Sequence, residues 1–130
     1  MPTVLFDPTF QGLANALTLH QQRHEVVASN LANVETPGFR ARDLDARDFA
    51  AALDAAFAGR AAGEAGEAGE PSSPLEPVDD TSALPRADGN TVDLDLQMAK
   101  LAANGERYVA LARILGERIT LMRQAIEGSR

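Results

Sequence analysis

A chain of 130 residues has room for about one domain, and its composition argues against a compact one: 45% of residues are apolar, much of that alanine, and only 5% are aromatic. The absence of cysteine rules out a disulfide framework or a thiolate metal site. A net charge of −7, with no basic stripe interleaved with aromatics, argues against nucleic-acid binding.

No stretch approaches the roughly 20 apolar residues of a membrane span. Met1 to Phe10 lacks the basic start and apolar run of a cleaved signal peptide, so export, if it occurs, is expected by another route. The acid is concentrated in the middle: residues 59–89 hold seven acidic residues and two arginines, while the ends are nearly neutral.

Asp7 is a candidate N-cap with Pro8 at the first helical position. From there Phe10, Leu13, Leu17, His20, His24, Val27, Leu31 and Val34 alternate at steps of three and four, a heptad seam that predicts a coiled-coil helix roughly 40 Å long. His20 and His24 have the i, i+4 spacing of a metal pair, but nothing nearby completes a ligand set. Their expected role is as polar seam positions that set register or partner choice, and no metal or other cofactor is expected.

Proline disfavours the helical region for the residue before it, so this helix should end near Glu35. Thr36-Pro37-Gly38-Phe39 then suits a type II turn, with Gly38 supplying a positive φ. Asn30 and Asn33, one turn apart, can bond the last free helix carbonyls or a neighbouring chain.

Residues 39–45 read as extended. A short helix is predicted from about Ala46 to Ala58, because Phe49, Leu53 and Phe57 recur on one face. Gly59 to Asp88 contains three successive Ala-Gly-Glu triplets and then four prolines, with too few large apolar side chains to offset the entropy of ordering. It is expected to be a flexible acidic loop.

Asp88-Gly89-Asn90 marks the return to helix, with Asn90 as expected N-cap and Asp93 three residues on. A second seam runs to about Glu127, roughly 55 Å if continuous: Leu94, Met98, Leu101, Gly105, Tyr108, Ala112, Leu115, Ile119, Met122 and Ile126. Leu111, Ile114, Leu121 and Ala125 lie beside it, so burying both rows requires a second neighbour besides the first helix. Gly105 in the seam could permit a close approach or a hinge.

Ala32, Asn33, Thr36, Gly38 and Phe39 reproduce the Ala-Asn-x-x-Thr-x-Gly-aromatic pattern near the N-terminus of flagellar axial proteins, which this chain resembles. Within that group, Arg40-Ala41-Arg42-Asp43, Arg86 to Asp95, Met98, Asn104 and Tyr108 are similar to the FlgB family of proximal-rod proteins. The resemblance covers nearly all of the chain outside the Gly/Glu/Pro loop. It departs at Gln97, where the family tends to have glutamate.

The expected fold is mainly α. Two long terminal helices pair as an antiparallel coiled coil, with a short helix and a flexible acidic loop between them. Segments 1–39 and 90–130 form one assembly domain, joined through 40–58 and 59–89. The expected signature site is Asn30, Asn33, Thr36, Pro37, Gly38 and Phe39. The expected seam and intersubunit residues are Leu13, Leu17, Val27 and Leu31 on the first helix, and Leu101, Tyr108, Leu111, Ile114, Leu115, Ile119, Leu121 and Met122 on the second.

The resemblance implies a structural subunit of a hollow rod that transmits torque and bounds the export channel, without enzymatic activity. It implies export through the flagellar type III apparatus, without signal cleavage, to the periplasmic basal body. The implied partners are copies of itself, proteins of the FlgC and FlgF types, the MS-ring and the ring–rod adaptor. A rod component of the FlgC type and a cytosolic coiled-coil adaptor or secretion chaperone are the alternative readings.

Overall fold

The computed structural model describes residues 8–58 and 74–128. Asp7, and the Ala-Gly-Glu triplets of the acidic loop, lie outside the described residues. In chain order the elements are α1 (Pro8–Ala32), β1 (Arg42–Leu44), α2 (Ala46–Ala58), β2 (Pro77–Asp79) and α3 (Leu94–Glu127). The two long helices pack together. Asn30 meets Gln97 and His20 meets Asn104, so one helix descends as the other rises and the pair is antiparallel.

α2 lies along α1 and turns its predicted face inward: Phe49 is buried, and Leu53 and Phe57 are half-buried. Leu19, Leu44 and Phe49 form a small core, with Val26, Ala52, Leu53 and Leu75 packed against it. At the far end of α2 the backbone comes so close to α1 that a Cβ on Gly12 would sit 2.6 Å from the Ala56 carbonyl oxygen. The seam pattern alone did not reveal this glycine.

Several expectations shift. In α1, Leu13 and Val27 are buried and Leu17 and Leu31 half-buried, but His24 faces solvent while Ala16, Leu19 and Asn30 are buried. A helix with neighbours on two sides buries a wider arc than a heptad seam. In α3, Leu94 and Met98 are exposed, and the row facing α1 begins with Gln97, Leu101 and Asn104. An apolar count tracked the wrong row there because the inward row is polar and internally paired. Further along, Leu111, Leu115 and Met122 are half-buried, while Tyr108, Ile114, Ile119 and Leu121 are exposed.

The second half of the expected loop is structured. β2 pairs antiparallel with β1, in the register Arg42 with Asp79, Asp43 with Val78 and Leu44 with Pro77. The N-cap of α3 is Asp93, whose carboxylate accepts from the Leu96 N–H at 2.9 Å. Asn90 has another task, described below. Gly105 and Gly116 have open space where a Cβ would be, so neither mediates a close approach among the described residues. Among the described residues no helix is long and apolar enough to cross a membrane.

Candidate functional site

α1 ends at Ala32, three residues before the expected stop, and residues 33–38 continue as turns. The Asn33 amide donates to the Ser29 carbonyl at 2.8 Å, which caps the helix as its spacing suggested. The Phe39 N–H bonds the Thr36 carbonyl at 3.2 Å and Gly38 has φ +71°, so Pro37 and Gly38 occupy the centre of the predicted type II turn.

Asn90 locks that turn from 54 to 57 residues away in sequence. Its side chain is fully buried, and its amide NH2 lies 3.0, 3.1 and 2.8 Å from the carbonyls of Asn33, Val34 and Thr36. Its own side-chain oxygen accepts from the Val92 N–H at 2.7 Å. The residue expected to start α3 thus gathers three carbonyls of the turn that follows α1.

Around it the two motifs are laced together. The Gly38 N–H donates to the Asp88 carbonyl, the Thr91 N–H to the Phe39 carbonyl, and the Ala41 N–H to the Thr91 hydroxyl. Arg86 reaches the Val34 carbonyl. Gly89, at φ +80°, packs against Gly38, and a side chain on it would touch the Gly38 Cα. The Thr36 to Phe39 and Asp88 to Val92 motifs are one physical site.

Behind this site lies a polar interior. The Asn30 amide embraces the Arg42 backbone, accepting from its N–H at 3.0 Å and donating to its carbonyl, and it also donates to Gln97 Oε1 at 2.9 Å. It therefore serves β1 and α3 instead of the helix carbonyls expected of it. Asn104 donates to the His20 carbonyl at 2.7 Å, which leaves its oxygen to accept from His20 Nδ1 at 2.8 Å. His20 also sets its ring edge-on to Phe49, joining α1, α2 and α3 at one residue. His24 faces solvent, and no group of three or more metal-ligating side chains is present among the described residues.

An ion cluster completes the clamp. Arg23 forks onto both oxygens of Asp43 at 3.0 and 2.9 Å and lies over the Phe49 ring. Lys100 bridges Asp43 at 3.1 Å and Asp80 at 2.6 Å. Burial by itself would raise the pKa of both carboxyls. The Arg23 and Lys100 bonds outweigh it at Asp43, and Lys100, Ser82 and Gln97 outweigh it at Asp80, so both are held below the usual carboxylate range. The bond to Asp43 raises Arg23, more than burial lowers it.

Gln97 now has a reason to be an amide. It accepts from Asn30 and donates to Asp80 at 3.0 Å, which an ionised glutamate could not do. Sequence reasoning missed this cluster. The one available signal was a lone lysine in an otherwise arginine-only chain.

Away from the clamp the character reverses. Val109, Ile114, Ile119, Leu121 and Ile126 of α3 are exposed, and Leu121 retains 64% of its accessible surface. A pair of terminal helices, clamped by polar side chains at one end and carrying open apolar rows at the other, defines a helical assembly subunit. Residues 10–40 match the family described as "Flagella basal body rod protein".

Over 86% of its length the chain is 35% identical to the flagellar basal body rod protein FlgB of Yersinia enterocolitica, covering 88% of that protein. The FlgB proteins of Salmonella typhimurium and Escherichia coli K12 are 32% and 34% identical over 87% and 78% of this chain, covering 88% and 81% of their own lengths. The chain belongs to the FlgB family of flagellar basal body rod proteins. It is a structural rod subunit and not an enzyme.

Proposed function

We propose that this subunit builds the proximal rod, its α1–α3 hairpins standing side by side as the wall of a hollow tube that transmits torque and bounds the export channel. Its neighbours are copies of itself, rod proteins of the FlgC and FlgF types, the ring–rod adaptor and the MS-ring. It leaves the cytoplasm through the flagellar type III export apparatus, without a cleaved signal peptide, and assembles in the periplasm.

The observation that carries this reading is the outward row of Ile114 and Leu121, seven residues apart on one face of α3, which the internal partner leaves open. Apolar rows on two sides of one helix suit a wall in which each helix touches more than its own hairpin mate. In this reading the turn at Asn30, Asn33, Thr36, Pro37, Gly38 and Phe39 is a rigid fitting that fixes how the hairpin meets the next subunit. Leu13, Leu17, Val27, Leu31, Leu101, Leu111, Leu115 and Met122 form the seam that keeps the hairpin closed.

The test is photo-crosslinking in motile cells, with a benzophenone amino acid at Leu121 or Ile114. Adducts to rod proteins within purified basal bodies are expected. Adducts confined to cytosolic proteins, with none in basal bodies, would overturn the assignment.

A further inference from the structure

Lys100 is the only lysine in the chain, and it sits where a strap crosses the hairpin. The strap, residues 74–82, is held at one end by Gln22 of α1, which donates to the Leu75 carbonyl at 2.6 Å and accepts from its N–H at 3.2 Å. At the other end Asp80 reaches Lys100 of α3. Between them the ladder with β1 is three residues long and includes Pro77, which has no N–H; the Asp80 N–H to the Ala41 carbonyl at 2.8 Å and the exposed Arg42 bond to the Pro77 carbonyl at 2.9 Å add to it, so the strap's pairing is short.

Asp43 and Asp80 both bond the same Nζ, which brings two largely buried carboxylates against one ammonium. Arg23 compensates Asp43 from the α1 side, while among the described residues the Asp80 carboxylate has the Gln97 amide and Ser82 besides Lys100. The Arg40–Asp79 pair, 3.5 Å apart and exposed, adds little. Without Lys100 the strap would bring a carboxylate with no cation of its own near the Asp43–Arg23 pair.

We propose that Lys100 is a latch: the strap closes over the hairpin only once α3 has docked on α1 and delivered its ammonium between Asp43 and Asp80. Both halves of the ladder precede Lys100 in the chain, so the N-terminal three-quarters cannot lock before the C-terminal helix arrives. The inference rests on contacts within one chain and holds or fails independently of the rod assignment.

NMR of the full-length protein tests it, following the Val78 and Asp80 amides of the strap and the amides of 97–104 in α3. In Lys100→Met at neutral pH, the strap amides should exchange about tenfold faster or more, while α3 stays protected. Adding Asp80→Asn to that variant should restore strap protection. Unchanged strap protection in Lys100→Met would overturn the latch, as would a double variant that stays open. Loss of α3 protection together with the strap would show that Lys100 holds the hairpin itself, and would overturn it too.

Discussion

Where α1 gives way to the turn, the hairpin is held by side chains that admit one geometry each. Along the last turns of α3 it presents apolar side chains that many neighbours of matching shape could cover. Around Asn30, Asn90, Gln97 and Asn104, buried amides each satisfy two or more groups, and the described side chains leave no buried polar atom unpaired. Around Leu121 and Ile126 the surface is open. Directional bonds fix a fold because a misplaced partner leaves a buried polar group unsatisfied. Apolar rows are tolerant, and tolerance suits the packing between subunits proposed for this surface.

The contrast is sharpest at Asn90. Asn90→Asp would replace the donor facing three carbonyl oxygens with a charged acceptor in a fully buried position. Loss of the bonds and burial of an unpaired charge should cost about 3 kcal/mol or more, seen as a lower urea midpoint for the purified subunit. Asn90→Ala, which removes these bonds without adding charge and leaves each carbonyl one other donor, should cost less. Equal midpoints for wild type and Asn90→Asp would show that the clamp does not hold the fold.

Acid should loosen the clamp selectively. Asp43 and Asp80 have folded pKa values below their unfolded ones, so their stabilisation is fully present above the ordinary carboxylate range, near pH 4. It is lost as the pH falls from there toward their folded values. A loss on the order of 2 kcal/mol between pH 5 and pH 2 is expected from the two together, measured by urea titration at each pH. A variant carrying Asp80→Asn should show a shallower slope, and an unchanged slope would remove Asp80 from the account.

At the other end of α1, the contact between Gly12 and α2 offers a milder test. A methyl group there meets the Ala56 backbone oxygen at 2.6 Å, and backbone cannot swing aside as a flexible side chain can. Gly12→Ala should cost about 1–2 kcal/mol despite the gain in helix propensity, read as a drop in melting temperature. A rise in melting temperature would mean that α2 is free to move off α1.

How far the sequence revealed this depended on the distance over which each signal acts. The helices and the turn were legible because periodicity and the Pro37-Gly38 pair act within a few residues. The α2 boundaries, Ala46 and Ala58, followed from three large apolar residues on one face. The clamp was not legible, because an asparagine does not declare its partner: Asn90 has the look of a local N-cap and instead serves carbonyls 54 to 57 residues away.

Gln97 and Asn104 interrupt an apolar count for the same reason, since their partners lie on the other helix. β2 is too short, and too proline-bearing, to show the alternation of a strand. Both halves of the turn site were visible as motifs. Their contact was not, because no local pattern encodes a pairing across an intervening loop.

The smallest effect expected on the free subunit is also the most informative about function. Leu121 retains 64% of its accessible surface, so Leu121→Gln removes almost no packing from the hairpin and should leave the urea midpoint within about 0.5 kcal/mol of wild type. If α3 meets a neighbour through this row, the same change buries an amide without a partner in every copy of the repeated contact, and a modest penalty is multiplied along the wall. Motility in soft agar should fall sharply while the level of soluble subunit is unchanged. Normal swimming with Leu121→Gln, and again with Ile114→Gln, would show that the open apolar row of α3 faces the lumen or solvent, so that the wall is built from another side of the hairpin.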